Sequence, residues 1–248
     1  MGSRPIPAPL DPGASTPAGE TGYQQAMKQA LLDFWNPLFS ARGDFIAGAA
    51  NAEARSRLAD WPDWQGNCLV LVGPEGCGKS RLAEDWAART GARRLDPLWP
   101  DAAAVRAGPV LLEDVDQGFC AEGLFHLVNL APLGRGVLMT ARSRPGAWPA
   151  QVPDLRSRLN ALPVAHVEAP DDEILLGVLE DFLRARGIRP SPDLAPYLVL
   201  RIDRSVTAAR DVVERLHEAS ARGHRPVTRA LAREILEDET ENLDLFDP

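Results

Sequence analysis

The segment GPEGCGKS, from Gly73 to Ser80, constrains this chain more than any other. It follows an apolar run, CLVLVG at 68–73, and opens a helix-compatible stretch from Lys79 to about Thr90. The pattern G-x-x-x-x-G-K-[ST] in that setting is a strand-to-helix turn whose glycines let backbone N–H groups point inward on an anion. The helix N-terminus adds a favourable field for negative charge. Gly73, Pro74, Glu75, Gly76, Cys77, Gly78, Lys79 and Ser80 are therefore read as a cradle for the phosphates of ADP or ATP. Lys79 is expected to reach the β- and γ-phosphates, and Ser80 to ligate Mg2+.

The surrounding pattern predicts an α/β domain. Four short apolar runs, at 68–73, 109–116, 136–141 and 165–169, read as buried parallel strands. Helical spacing at 51–61 precedes them, and helical stretches after Lys79 and at 124–132 alternate with them, which puts helices on both faces of the sheet. After Pro170 the strands stop. DDEILLGVLEDFLRARG (171–187) is amphipathic, acidic at its start and basic at its end, as suits a helix dipole. Further helical stretches near 191–201, 204–222 and 226–237 make a small all-helical second domain. The expected boundaries are a disordered Pro/Gly/Ala/Ser-rich extension at 1–26, a linker at 27–43, the nucleotide domain at 44–169, the helical domain at 170–238 and a polar tail at 239–248.

The second strand ends in Glu113 and Asp114. Carboxylates delivered beside a phosphate loop hold Mg2+ through water and orient the attacking water. Glu113 is assigned the metal role and Asp114 the catalytic one. Glu113 is one methylene longer than the usual aspartate, which argues for weak intrinsic hydrolysis. Thr140 ends the next strand, where a hydroxyl can touch a γ-phosphate or cap a turn; Arg142 and Arg144 follow it. Cys77 reads either as a thiolate favoured by the helix N-terminus or as a small side chain at a tolerant loop position, and the second reading is adopted.

Composition narrows the class. The chain has 27 Lys and Arg against 35 Asp and Glu, a formal net charge of −8, which argues against a general nucleic-acid binder and leaves a local basic patch open; direct sequence-specific DNA binding is not expected. Cys68, Cys77 and Cys120 have neither metal-ligand spacing nor an even disulfide set, as expected of a reducing compartment. There is no apolar run of membrane-spanning length and no apolar signal core at the start, so a cytoplasmic location is expected.

The order of these motifs resembles the DnaA replication-initiator family of AAA+ ATPases over roughly residues 27–237. The resemblance rests on the phosphate loop, the ED strand end, the TARSRP turn, LRSRL and a late helix. It implies an AAA+ P-loop parallel sheet with a helical lid. PDLRSRLNAL (153–162) is similar to the family's arginine-finger segment, which makes Arg158 the finger and Arg156 its neighbouring support. SVTAARDVVERL (205–216) looks like the second-sensor helix, with Arg210 as its arginine. The TARSRP turn departs from the family pattern, which usually carries an acid there.

Little room lies between Ser80 and Glu113 for the helical insertion that initiators use on single-stranded DNA, and the chain stops shortly after the lid. The resemblance is thus nearest to the family's regulatory branch. It implies DnaA and the DNA polymerase sliding clamp as partners and action in trans on ATP bound to DnaA; self-association stays open. Clamp peptides of that branch suggest QALLDF, with Gln29, Leu32 and Phe34 as anchors. A rival is NLDLF, with Asn242, Leu243, Leu245 and Phe246. The competing functions are an autonomous loader-type ATPase and an ADP-bound adaptor without catalytic contribution.

Overall fold

A computed structural model describes residues 46–244, with side chains through 237. The expected disordered extension, Gln29, Leu32, Phe34, Leu245 and Phe246 lie outside the described residues, as do the side chains of Asn242 and Leu243.

Five parallel strands form one sheet: β1 Cys68–Val72, β2 Arg93–Leu95, β3 Val110–Leu112, β4 Val137–Ala141 and β5 Val164–His166, in the order β2-β3-β4-β1-β5. Side chains alternate between the two faces of a strand, so both faces of this sheet must be covered. Cys68, Val70, Leu112 and Met139 pack on one face against helices α3 Ala104–Ala107, α4 Ala121–Leu130 and α5 Pro153–Asn160. Leu69, Leu71, Leu111 and Leu138 pack on the other against α1 Ala52–Ala59 and α2 Lys79–Thr90. Trp86 of α2, 1% exposed, stacks on Trp64 at 5.3 Å and meets Trp61 edge-on at 6.1 Å. Each such ring pair adds about 1 kcal/mol beyond the area it buries.

The second domain holds α6 Asp172–Ala185, α7 Leu194–Val199, α8 Val206–Gly223 and α9 Arg229–Asp244, around Leu175, Leu179, Leu198, Val213, Leu216 and Leu231. Asp171 caps α6 by accepting from the Ile174 N–H at 2.8 Å, and Ser205 caps α8 by accepting from the Ala208 N–H at 3.0 Å. Such caps contribute about 1 kcal/mol each.

The structure departs from the sequence reading at several points, and the strand expected at 165–169 is Val164–His166. β2 carries two arginines in three residues and has no apolar run; pairing with β3 makes it a strand. The strand expected at 109–116 ends at Leu112, because Asp114 turns to a left-handed φ of 48° and leaves the ladder. The polar tail begins inside a helix, since α9 runs through residues 239–244.

Candidate functional site

The phosphate loop leaves β1 at Gly73 and enters α2 at Lys79. Gly73 sits against β5's exit: a Cβ there would lie 2.0 Å from the Val167 carbonyl oxygen. Gly76 has φ +69°, and a Cβ on it would lie 2.7 Å from the Ser205 Cβ. Both positions exclude a side chain, one by space and one also by backbone conformation. Lys79 is 7% exposed, and its Nζ donates to the carbonyls of Gly73 at 2.8 Å and Pro74 at 2.7 Å. A buried ammonium held by the loop's own carbonyls marks where an anion's charge would be answered. Burial pushes the Cys77 thiol up despite Lys79 beside it, so it is a poor thiolate at neutral pH. Burial pushes Cys68 up to about 12.

Glu113 and Asp114 part at the end of β3. Glu113 is half-buried and accepts a hydrogen bond from the Ser80 side chain; Arg94 Nη2 stands 3.0 Å from its Oε2. Burial holds its carboxyl above the usual carboxylate range, although Arg94 and Ser80 pull the other way. Asp114 is exposed, and its backbone N–H donates to Thr140 Oγ1 at 2.9 Å. Thr140 is fully buried, so its hydroxyl ties the ends of β3 and β4 together. Hydroxyl and carboxylate are the donor types that Mg2+ takes, usually beside phosphate oxygens and waters. Ser80 and Glu113 fit in type. Among the described residues, no group of three His, Cys, Asp or Glu could hold a metal by protein ligands alone.

The turn after β4 is held by a residue that sequence reasoning missed. Asp116 Oδ2 accepts from the N–H of Arg142 at 2.9 Å, the N–H of Ser143 at 2.8 Å and the hydroxyl of Ser143 at 2.9 Å. Burial alone would raise its carboxyl, but these donors bring it below the ordinary value. A carboxylate from the β3 side thus holds the start of the TARSRP turn. Arg142 Nη1 lies 2.6 Å from Glu75 of the phosphate loop, and Arg144 Nη2 lies 3.1 Å from His166 Nε2.

The second domain reaches the loop through the start of α8. The Val206 N–H donates to the Gly76 carbonyl at 2.7 Å. Arg210 lies one turn further along α8 and is exposed. Arg158 is exposed on α5, on the sheet face opposite α2, with its guanidinium 5.8 Å from the Phe125 ring centre. Arg156 donates to the Ala150 carbonyl at 2.9 Å. The structure therefore gathers Lys79, Ser80, Glu113, Asp114 and Thr140 at one end of the sheet and leaves Arg158 away from that group. Sequence reasoning also passed over Gly48 and Asn51. Asn51 Oδ1 accepts from the Gly48 N–H at 3.2 Å, and a Cβ on Gly48 would lie 2.6 Å from Ile174, so this turn is pressed against the start of α6.

A parallel sheet with a phosphate loop after β1 and a helical domain starting on that loop is the architecture of AAA+ P-loop proteins. Solved structures bear this out. Domain III of the Thermotoga maritima replication initiation protein DnaA superposes with a TM-score of 0.65 at 19% identity, over 78% of this chain and 94% of that one. The Thermotoga maritima RuvB Holliday junction branch migration motor gives 0.54 at 17% identity, over 69% of this chain and 61% of that one. No family model matches the chain. Among curated sequences, the chromosomal replication initiator protein DnaA of Caulobacter sp. (strain K31) is 30% identical over 226 residues, 77% of this chain and 46% of the relative. That of Caulobacter vibrioides (strain NA1000 / CB15N) is 29% identical over 229 residues, with 77% and 46% covered. The chain is a DnaA-family AAA+ protein. It spans a little under half the length of the relatives it matches.

Proposed function

We propose that this chain binds ADP or ATP in its phosphate loop and acts in trans on DnaA. In this reading it is a regulator of the Hda type: docked on the DNA-loaded sliding clamp, it stimulates hydrolysis of ATP held by DnaA and so restrains re-initiation of replication. A related structure described as the replication initiator DnaA bound to AMPPCP and single-stranded DNA supports the nucleotide half. The observation that carries the trans half is Arg158. It stands exposed on α5, on the face away from α2, where a guanidinium can meet a neighbour's nucleotide. An arginine offered to another subunit's γ-phosphate neutralises charge that develops as the bond breaks.

Within the site, Lys79 would hold the β- and γ-phosphates. Ser80 and Glu113 would hold Mg2+, which would supply charge neutralisation beside the phosphates. Asp114 would orient water, and Arg210 would face the nucleotide from α8. A regulator is favoured over an initiator by the stretch between Ser80 and Glu113. It holds α2, the three-residue β2 and the four-residue α3, without a long helical insertion. For the clamp, QALLDF is favoured over NLDLF, because residues 242–244 are the last turn of α9 and an extended docking peptide would have to unwind it. The autonomous-ATPase reading is supported by Asp114, exposed beside an intact phosphate loop.

The test follows nucleotide bound to DnaA over time, with this protein, clamp and DNA added singly and together. The regulator reading expects faster conversion of DnaA-bound ATP to ADP in the full mixture alone. Turnover by this protein alone, with no effect on DnaA, would establish the autonomous ATPase instead.

A further inference from the structure

The metal side of the phosphate site contains an arginine that neither the loop motif nor the acidic strand end calls for. Arg94 lies on β2, in parallel register with β3, with Leu95 opposite Leu112. Its Nη2 is 3.0 Å from Glu113 Oε2 and 3.3 Å from Glu84 Oε1. Glu84 is one helical turn past Ser80 on α2, so one guanidinium bridges the phosphate-loop helix and the acid at the end of β3. The Glu113 side chain is 18% exposed and also accepts from the Ser80 side chain. The two residues expected beside Mg2+ are therefore joined to each other, and one of them carries a fixed monovalent cation.

We infer that Arg94 is a built-in counter-cation that supplies much of the charge neutralisation Mg2+ would give here, so that nucleoside diphosphate binding at this loop depends little on Mg2+. The inference rests on the phosphate-loop reading above. Mg2+ needs a near-octahedral oxygen shell and keeps most of its waters, so its hold on a carboxylate depends on oxygens free to accept from those waters. Arg94 occupies one such oxygen. Its charge, although shared between Glu113 and Glu84, also opposes a dication at the same carboxylate. As a contribution to stability this half-exposed ion pair is worth little, so its consequence falls on which cation the site accepts. A guanidinium stays charged at any working pH and cannot be chelated away.

The experiment measures binding of a fluorescent ADP analogue by the full chain in excess Mg2+ and in EDTA, with Lys79→Ala as the control without a phosphate grip. The wild-type affinity should change by less than about threefold between the two conditions. Arg94→Gln should keep binding in Mg2+ and lose about tenfold or more in EDTA. Arg94→Lys, which keeps the charge, should stay indifferent to Mg2+. If Arg94→Gln fails to fold, Mn2+ titration of the wild-type chain with ADP, read by electron paramagnetic resonance, decides: the protein complex should bind Mn2+ no more tightly than free ADP does. A wild-type chain that loses tenfold in EDTA, or that sequesters Mn2+ tightly, overturns the inference. A wild-type chain that binds no better than Lys79→Ala in either condition removes the nucleotide site itself, and the inference with it.

Discussion

Gly76 and Ser205 stand so close that a methyl group on the glycine would lie 2.7 Å from the serine Cβ. One belongs to the phosphate loop and the other caps the first turn of α8, so the two domains meet where phosphate is expected to bind. Gly76→Ala should therefore act on domain contact as well as on the loop. The left-handed φ of +69° alone costs a side chain about 1–2 kcal/mol, and the clash adds to it. The expected result is nucleotide affinity reduced tenfold or more, about 1.4 kcal/mol, by calorimetry, together with faster proteolysis between the domains. Wild-type affinity in this variant would mean that α8 does not close on the loop.

Asp116 offers a test through pH. Its carboxyl is held below its ordinary value of 3.8 by the Ser143 and Arg142 donors, which outweigh burial. A depressed folded-state value means that its contribution is fully present above about pH 4 and is lost as pH falls through the lower folded value. Glu113, raised by burial, works in the opposite sense, so the comparison must be made between variant and wild type. Asp116→Ala should cost roughly 2 kcal/mol at neutral pH, because three donors lose one charged acceptor. The gap to wild type should close in acid. Urea titrations at several pH values read both; a gap constant down to pH values well below 3.8 would rule the carboxylate out.

Arg158 carries the functional proposal. Arg158→Ala should leave this protein's own nucleotide and clamp binding unchanged and should lose most stimulation of DnaA-bound ATP hydrolysis. Arginine fingers supply about 10³–10⁵ in rate in well-studied phosphoryl transfer. Arg158→Lys should rescue poorly, since a point charge lacks the planar fork. Normal stimulation by the alanine variant would move the function to the adaptor reading.

The clamp segment is decided by two changes. Gln29→Ala with Leu32→Ala should weaken clamp binding by roughly 2 kcal/mol or more, as anchor residues do. Truncation after Asp238 should matter little. If the truncation abolishes binding and the double variant does not, NLDLF is the docking peptide.

Contiguous features were legible in the sequence. The phosphate loop declares itself because eight adjacent residues do one job, and β1 and β4 because five buried residues in a row, all apolar but Thr140, have few other uses. Contacts made across the fold were not. Arg93 and Arg94 look like a solvated link between elements, yet backbone pairing with β3 makes them a strand. Asp116 looks like one more acid after ED, although its partners lie at 142 and 143 and are reached only once β3 and β4 are side by side. Gly48 gains meaning only when α6 packs over it.

β2 and β5, which border the sheet among the described residues, have three residues each, and β2 presents exposed arginines. Two short borders, one of them also charged, offer a poor template for a further strand, and natural sheets use both devices to resist edge-to-edge aggregation. Such a sheet is insulated against growth by backbone pairing. Assembly with a second AAA+ subunit would then proceed through helix and loop surfaces, where side chains choose the neighbour and contact can be undone without breaking a ladder of backbone hydrogen bonds.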